Sequence, residues 1–230
     1  MKQLIIILLF LIPLFLFSQK ANTNSFTQED WDKLSQQQKD SINKMLLTKF
    51  EEAKKAASNT DEENAKNSIN EALKNIDGTA SLTLTSFPKA QLPEEIVKLK
   101  NLEEFACIKC RQLDLNLLFN QLAQLPKLKR LNLSGGTFSV LPNSIKNLLA
   151  LEELNLKDNN IKILPDSFVL LKKLHVLSLE HNAYLYDENV FERIKGLSIE
   201  ELNFSASGLL ELNNKVGDAK SLKKLDLSLC

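Results

Sequence analysis

Apolar residues follow two different spacings on either side of Gly78. In residues 19–77 they recur every three or four positions, which predicts amphipathic α-helices. After Gly78, leucines alternate with polar residues in short L-x-L runs and then recur in longer blocks. Alternation of this kind indicates short strands joined by turns. The pattern therefore predicts a helical N-terminal region followed by a different architecture.

Two candidate helices fit residues 19–77. The first starts near Thr27, with Asp30 three residues later as in a capping box, and the second starts with the acidic residues at Asp61 and ends near Gly78. We interpret the region as a cap or small interaction segment packed on the C-terminal region, with a membrane-surface helix as the alternative. The apolar faces are Trp31, Leu34, Ile42, Met45, Leu46 and Phe50 in the first helix, and Ala65, Ile69, Ala72, Leu73 and Ile76 in the second.

The segment after Gly78 repeats itself. Residues 151–173 have apolar side chains at positions 1, 4, 6, 11, 14, 18 and 21, with Asn159 at position 9 and Pro165 at position 15. Residues 128–150 match every apolar position and the proline. Seven such units start at positions 79, 102, 128, 151, 174, 199 and 222, at spacings of 23, 26, 23, 23, 25 and 23. The second and fifth units therefore carry three and two extra residues after the strand motif, which should bulge on the outer side.

This pattern, L-x-x-L-x-L-x-x-N-x-L followed by L-P-x-x-[IF]-x-x-L, resembles the leucine-rich repeat in its form of roughly 23 residues. The resemblance covers residues 79–230 and implies an α/β solenoid, a horseshoe with a parallel sheet on its concave side, preceded here by the helical segment. Each unit is too small to bury its own apolar face, so units must stack. An asparagine at position 9 can then bond the backbone of neighbouring turns. Lys89 departs from the pattern, because it replaces an apolar residue at position 11.

The N terminus is a separate segment. A lysine precedes an apolar run of 14 residues, Leu4–Phe17, and a serine follows it. This is the layout of a secretory signal peptide, and the run is shorter than the roughly 20 residues of a membrane-spanning helix. We predict a signal peptide over 1–18, a helical region or cap over 19–78 and a repeat domain over 79–230, exported to the exterior, periplasm or cell surface. An uncleaved signal anchor is the alternative.

Cys107 and Cys110 form a C-x-x-C motif, a spacing found in zinc sites, redox pairs and disulfides. In the repeat they occupy positions 6 and 9, which point inward, and Cys230 also occupies position 9. We therefore expect buried, inert thiols, and export leaves a disulfide between Cys107 and Cys110 as the alternative. Zinc would need further ligands, and a redox pair would need a β-α-β context. The sequence predicts no metal and no cofactor.

The charge balance and the motifs favour a protein partner. Lys+Arg and Asp+Glu both number 29, which gives a formal net charge of +0, so no overall basic field favours nucleic acid or an anionic membrane. We find no nucleophile elbow, P-loop, dinucleotide fingerprint or HExxH motif in the sequence. We predict a non-enzymatic module that binds a protein, without cofactor, nucleic acid or membrane insertion once the signal is removed.

The resemblance implies that the concave strand surface is the binding face. Side chains at positions 3, 5 and 7 of each repeat should point outward from it, although a merely solvated face stays open as the alternative. We assign the partner-binding residues Glu104, Ile108, Arg130, Asn132, Ser134, Glu153, Asn155, Lys157, Val176, Ser178, Glu180, Glu201, Asn203 and Ser205.

Two further functions stay open at the sequence level. The seventh repeat stops at position 9 and no polar capping unit follows, although open solenoid ends need one. We therefore also consider the recognition segment of a larger secreted effector or enzyme whose C-terminal part is missing here. The third interpretation is a structural stalk in an envelope or adhesin.

Overall fold

The structure, a computed structural model, describes residues 31–208 and 214–229 and divides the chain into two units, residues 1–57 and 58–230. The predicted signal peptide and Cys230 lie outside the described residues. One α-helix, α1 (Gln36–Lys74), runs through both units. The second unit contains the rest of the described elements and one continuous hydrophobic core.

Helix α1 is a single helix of 39 residues, so the predicted boundary between two helices near Asp61 is wrong. The range Gln36–Lys74 contains no glycine and no proline, and it is rich in alanine, lysine and glutamate, so nothing in it ends the helix. In the first unit, Met45 and Phe50 of the predicted apolar face are exposed. In the second unit, Ala65 and Ile69 are buried in the core of the repeats.

Seven strands form one parallel sheet in chain order, with one strand from each repeat. The middle residue of the short strands is a leucine that points into the core, as at Leu131, Leu154 and Leu177, and its two neighbours face the other side. This alternation is the one that the L-x-L motif predicts. The strands are β1 (Ser81–Thr85), β2 (Glu104–Ile108), β3 (Arg130–Asn132), β4 (Glu153–Asn155), β5 (Val176–Ser178), β6 (Glu201–Asn203) and β7 (Lys224–Asp226).

After each strand the chain turns through a residue at position 8 with positive φ. Gly135 has φ 72°, and the other six residues have φ between 52° and 60°. This conformation is costly for residues other than glycine, and the stacking of repeats holds it in place. The N–H of Asp158, for example, donates to the carbonyl of Glu180 in the next repeat at 3.0 Å. The six non-glycine residues are Ser86, Lys109, Asp158, His181, Ala206 and Leu229.

The asparagines at position 9 point inward and join neighbouring repeats. Asn182 is fully buried; its amide donates to the carbonyls of Leu156, Leu179 and Glu180 at 3.0, 2.9 and 3.2 Å, and its Oδ1 accepts the N–H of Ile161 at 2.9 Å. Asn159 makes the equivalent four bonds one repeat earlier. The bonding expected of these asparagines is therefore confirmed.

Gly136 takes position 9 in the third repeat for a steric reason. A Cβ there would lie 2.0 Å from the ring of Phe138, so the ring occupies the space that an asparagine side chain would need. The third repeat therefore has no asparagine at position 9, and the N–H of Phe138 donates to Oδ1 of Asn159 in the next repeat at 2.9 Å.

Cys107 and Cys110 are both fully buried and joined by a disulfide. The prediction that they point inward is confirmed, but the expectation of free thiols is wrong. Lys109, with φ 58°, folds the chain back so that positions 6 and 9 both face the core. The resulting Cα–Cα distance of 5.6 Å lies in the range that a disulfide spans.

The return segments on the side opposite the sheet are helical. Four of them contain a five-residue 3-10 helix: Glu94–Lys98, Asn143–Asn147, Asp166–Leu170 and Asn214–Asp218.

The two repeats with insertions contain α-helices of 8 residues instead, α2 (Leu115–Leu122) and α3 (Asp187–Ile194). The extra residues therefore lie in the return segments as expected, but as helix rather than as an irregular bulge. An α-helix rises about 1.5 Å per residue and a 3-10 helix about 2.0 Å, so the two forms span similar lengths. Asp114 caps α2, since its carboxylate accepts the N–H groups of Asn116 and Leu117.

Candidate functional site

The register of the sheet arranges the outward side chains of the concave face in rows that cross the strands. Adjacent strands lie about 4.8 Å apart, so consecutive members of a row are neighbours. The first row contains Glu104, Arg130, Glu153, Val176, Glu201 and Lys224. The second row contains Ala106, Asn132, Asn155, Ser178, Asn203 and Asp226.

Ion pairs neutralise both ends of the first row. The Nε atom of Arg130 lies 3.3 Å from Oε2 of Glu104, and the Nζ atom of Lys224 lies 3.2 Å from Oε2 of Glu201. Between these pairs, Glu153 makes no ion pair or side-chain hydrogen bond with the part of the chain that the structure describes. The neighbour of Glu153 on β5 is the apolar side chain of Val176.

The asparagines of the second row combine a local bond with an available donor. The Oδ1 atoms of Asn132, Asn155 and Asn203 accept the N–H two residues later, at 3.0, 2.9 and 2.8 Å. These short-range bonds fix the side chains at the strand ends. Their amide NH₂ groups keep hydrogen-bond donors on the concave face.

A third row follows at the carboxyl ends of the strands. Here Nζ of Lys157 lies 2.7 Å from Oε1 of Glu180, and this hydrogen bond raises the pKa of Lys157. One residue further along the chain, Nδ1 of His181 lies 2.8 Å from Oδ1 of Asp158. Two adjacent pairs therefore join the fourth and fifth repeats at the C-terminal edge of the face. The fourth repeat supplies Lys157 to one pair and Asp158 to the other.

The structure places the sequence-predicted site residues on this one surface, but their side chains differ in solvent exposure. Ile108 and Ser134 are half-buried at the strand ends, whereas Ser205 is only 6% exposed and contributes little surface. A hollow of about 180 Å³ lies on the face near its C-terminal end. It is lined by Val176, Leu177, Ser178, Glu201, Leu202, Asn203, Lys224 and Asp226.

A larger cavity of about 730 Å³ lies between the second-unit part of α1 and the first repeat. Phe87 and Leu92 line it on the repeat side and Ile69 on the helix side. At this junction Nζ of Lys89 pairs with Oε1 of Glu62 at 2.6 Å. The lysine at an apolar position of the first repeat is therefore explained by its partner on the helix.

An exposed apolar column on the flank of the repeats was not predicted from the sequence. Val140, Ile163 and Tyr186 are 69%, 51% and 63% exposed. Val140 and Ile163 share position 13 of their repeats. The N–H of Tyr186 donates to the carbonyl of Lys162 at 2.9 Å, which places the tyrosine beside Ile163. Apolar residues at a position outside the core pattern are the signal that could have revealed this column.

A charge network joins the return segments of the fifth and sixth repeats. Glu192 accepts hydrogen bonds from Lys195 and Lys215, both at 2.7 Å, and these lysines lower the pKa of its carboxyl from 4.5 to about 2. Lys215 also pairs with Glu188 at 2.8 Å, and the two glutamates raise its pKa. The lysine thus links α3 to the next 3-10 helix in the chain.

Replacing Glu192 with glutamine should reduce stability at pH 7 but not at pH 2. The folded-state pKa is lowered, so the network contributes fully above pH 4.5 and its contribution is lost as the pH falls towards about 2. Urea unfolding of the wild type and Glu192→Gln between pH 7 and pH 2 measures this. A stability difference that stays constant across the range would contradict the assigned role.

The described residues form neither a metal-binding cluster nor a membrane-spanning helix. Within 31–208 and 214–229 no group of three or more His, Cys, Asp or Glu side chains is placed to hold a metal ion. Over the same ranges no helix combines the length and the apolar character needed to cross a membrane.

Parallel strands in chain order, a left-handed turn after each strand, inward asparagines and helical return segments define a solenoid of strand–turn–helix repeats. A sequence profile described as "Leucine rich repeat" matches residues 126–183. The repeats within residues 126–183 are therefore leucine-rich repeats, and the predicted α/β solenoid with a parallel sheet is confirmed.

Several solved structures are similar to this chain. A leucine-rich repeat protein of Leptospira interrogans is 26% identical over 69% of this chain and 45% of its own, with a TM-score of 0.49. The internalin inlF of Listeria monocytogenes is 19% identical over 66% and 48%, with a TM-score of 0.48. TLR13 in its complex with ssRNA13 is 22% identical over 68% and 23%, with a TM-score of 0.55. The chain thus spans less than half of each of these proteins, and no curated protein matches it.

Proposed function

We propose that the repeats form a non-catalytic module that binds a protein partner on the concave face. The observation that carries the proposal is the row arrangement, in which amide donors and one unpaired carboxylate are held at fixed spacings by a seven-stranded sheet. The carbonyl and charged groups of a partner can bind these side chains without changing their conformation. The leucine-rich repeat fold is commonly an interaction module, which supports the same function.

We also propose that the protein works in an oxidising compartment after export. The disulfide between Cys107 and Cys110 supports this, because disulfides persist in secreted and periplasmic proteins and are rare in reducing cytosol. The N-terminal apolar run, Leu4–Phe17, has the composition of a signal peptide and supports the same location. Mass spectrometry of protein recovered from its native source, which measures both the N terminus and the cysteine oxidation state, tests both points.

Reversing two charges at the centre of the face should weaken the capture of a partner by at least about tenfold. Arg130→Glu combined with Glu153→Lys inverts the potential that the partner meets, and like-charge contacts across an interface are strongly unfavourable. The matched control is Lys146→Glu with Asp218→Lys, an exposed base and acid in two of the 3-10 helices on the opposite side.

Chemical cross-linking in an envelope or extracellular extract, followed by quantitative mass spectrometry, measures the capture. Proteins recovered by the wild type and the control pair but lost with the concave pair support the proposal. Equal recovery with both pairs would refute it. A structural stalk would not depend on the concave side chains at all, so that outcome would favour the stalk.

A further inference from the structure

In the first row of the concave face the charges are paired towards both ends, and Glu153 between them is unpaired. Arg130 is engaged with Glu104, and Lys224 is engaged with Glu201. Glu153 lies between these two pairs, next to Arg130 on one side and Val176 on the other. The arginine directs its Nε to Glu104, so the carboxylate of Glu153 is left available.

The surface beyond Val176 is also negative. The hollow of about 180 Å³ is lined by two carboxylates, those of Glu201 and Asp226, and by one ammonium group, that of Lys224. The backbone N–H of Ser228 donates to Asp226 at 2.9 Å and lowers the pKa of this carboxyl, so it stays ionised. With Glu153 added, three carboxylates face one cation across this part of the concave face.

Val176 is the apolar element between Glu153 and the hollow. It is half-buried, it lines the hollow, and it is the one aliphatic member of a row that is otherwise charged. An aliphatic side chain beside a free carboxylate is suited to a long cationic residue, whose methylene stem packs on the apolar group while its charged end pairs with the acid.

We propose that the partner anchors on this face with a lysine or arginine that pairs with Glu153 and packs its stem on Val176. The inference rests on the proposed concave binding function and specifies the chemistry of the partner. A partner carboxylate at this point would be repelled by Glu153 and by the excess of negative charge that Asp226 gives the hollow. An apolar partner residue would bury Glu153 without a counter-charge, which is strongly unfavourable. Residues of the partner next to the cation then enter the hollow between Glu201 and Asp226.

Selection from a random peptide library tests this chemistry even though the partner is unidentified. Twelve-residue peptides displayed on phage are selected on the immobilised full chain, and the recovered sequences are synthesised for affinity measurements. We expect enrichment in lysine or arginine, and a loss of affinity of at least about tenfold on the Glu153→Gln protein. The matched control is Glu95→Gln, an exposed glutamate in a 3-10 helix on the opposite side, which should change affinity less than about twofold.

A double substitution cycle shows whether the peptide cation contacts Glu153. Replacing the enriched arginine by citrulline, or the lysine by norleucine, should weaken binding to the wild type by about tenfold and to Glu153→Gln by less than about twofold. Equal losses on both proteins would overturn the assigned pairing. Urea unfolding of each variant confirms that the fold is retained.

The outcomes separate this inference from the function on which it rests. Peptides that are lost on Arg130→Glu/Glu153→Lys but are not enriched in cations would overturn the inference and keep the concave binding function. Peptides that bind that double variant as well as the wild type, or a selection that recovers no peptide, would count against the concave binding function itself.

Discussion

Replacing Asn182 with alanine should lower the free energy of unfolding by about 3 kcal/mol. The substitution removes four hydrogen bonds from a fully buried side chain and leaves the N–H of Ile161 and the carbonyls of Leu156 and Leu179 without this partner. A buried polar group without a partner costs about 1–3 kcal/mol, and here several groups lose one together. Urea unfolding followed by circular dichroism measures the change.

Asn160→Ala is the matched control for this experiment. Asn160 is exposed, and its amide makes a single bond of 3.3 Å to the carbonyl of Thr137. The same chemical change should therefore cost less than about 0.5 kcal/mol there, as is usual for surface positions. If both variants lost the same stability, the bonds of Asn182 between repeats would not be what holds this region together.

The second large effect concerns the disulfide. The double substitution Cys107→Ala with Cys110→Ala should lower the free energy of unfolding by about 2 kcal/mol. The bond stabilises the fold by constraining the unfolded chain, and the effect is limited to this size because the loop that it closes is very short. Both sulfur-bearing residues are fully buried, so a reductant should reach the bond only when the repeat opens. Denaturant unfolding with and without reductant measures both effects.

The double variant supplies its own control. Reductant should destabilise the wild type by about the same amount as the two substitutions do, and it should leave the variant unchanged. Rapid modification of Cys107 or Cys110 in the native protein, with no reductant present, would show that the bond is absent and would contradict the assignment.

The repeat register was predictable from the sequence because it depends on a local rule. Alternating side chains point to opposite faces of a strand, so L-x-L fixes which residues are inward at Leu131 or Leu154 and which are outward at Arg130 or Glu153. Stacking of the repeats then places residues with the same position number in consecutive repeats next to each other. The concave rows are a direct result of these two facts.

Other features depended on geometry that the sequence does not encode locally. Residues as different as Ser86, Asp158 and Ala206 adopt the left-handed conformation at position 8, and each donates its N–H to the next repeat, whose stacking holds the turn. The disulfide results from that turn and not from the spacing of its cysteines. The continuity of α1 is not evident from the sequence, because the acidic residues from Asp61 resemble a helix N terminus although the helix continues through them.

The placement of the inward asparagines has a consequence for recognition. The two complete asparagine bonding sets follow β4 and β5, whereas position 9 of the other repeats holds Phe87, Cys110, Gly136, Ser207 and Cys230. The strands that present Glu153 and Val176 are therefore tied to their neighbours by side-chain bonds as well as by the hydrogen bonds of the sheet. A partner that docks there meets side chains that are already preorganised, and little conformational entropy is lost on binding. The buried asparagines thus support the surface of the proposed contact from the core side of the sheet.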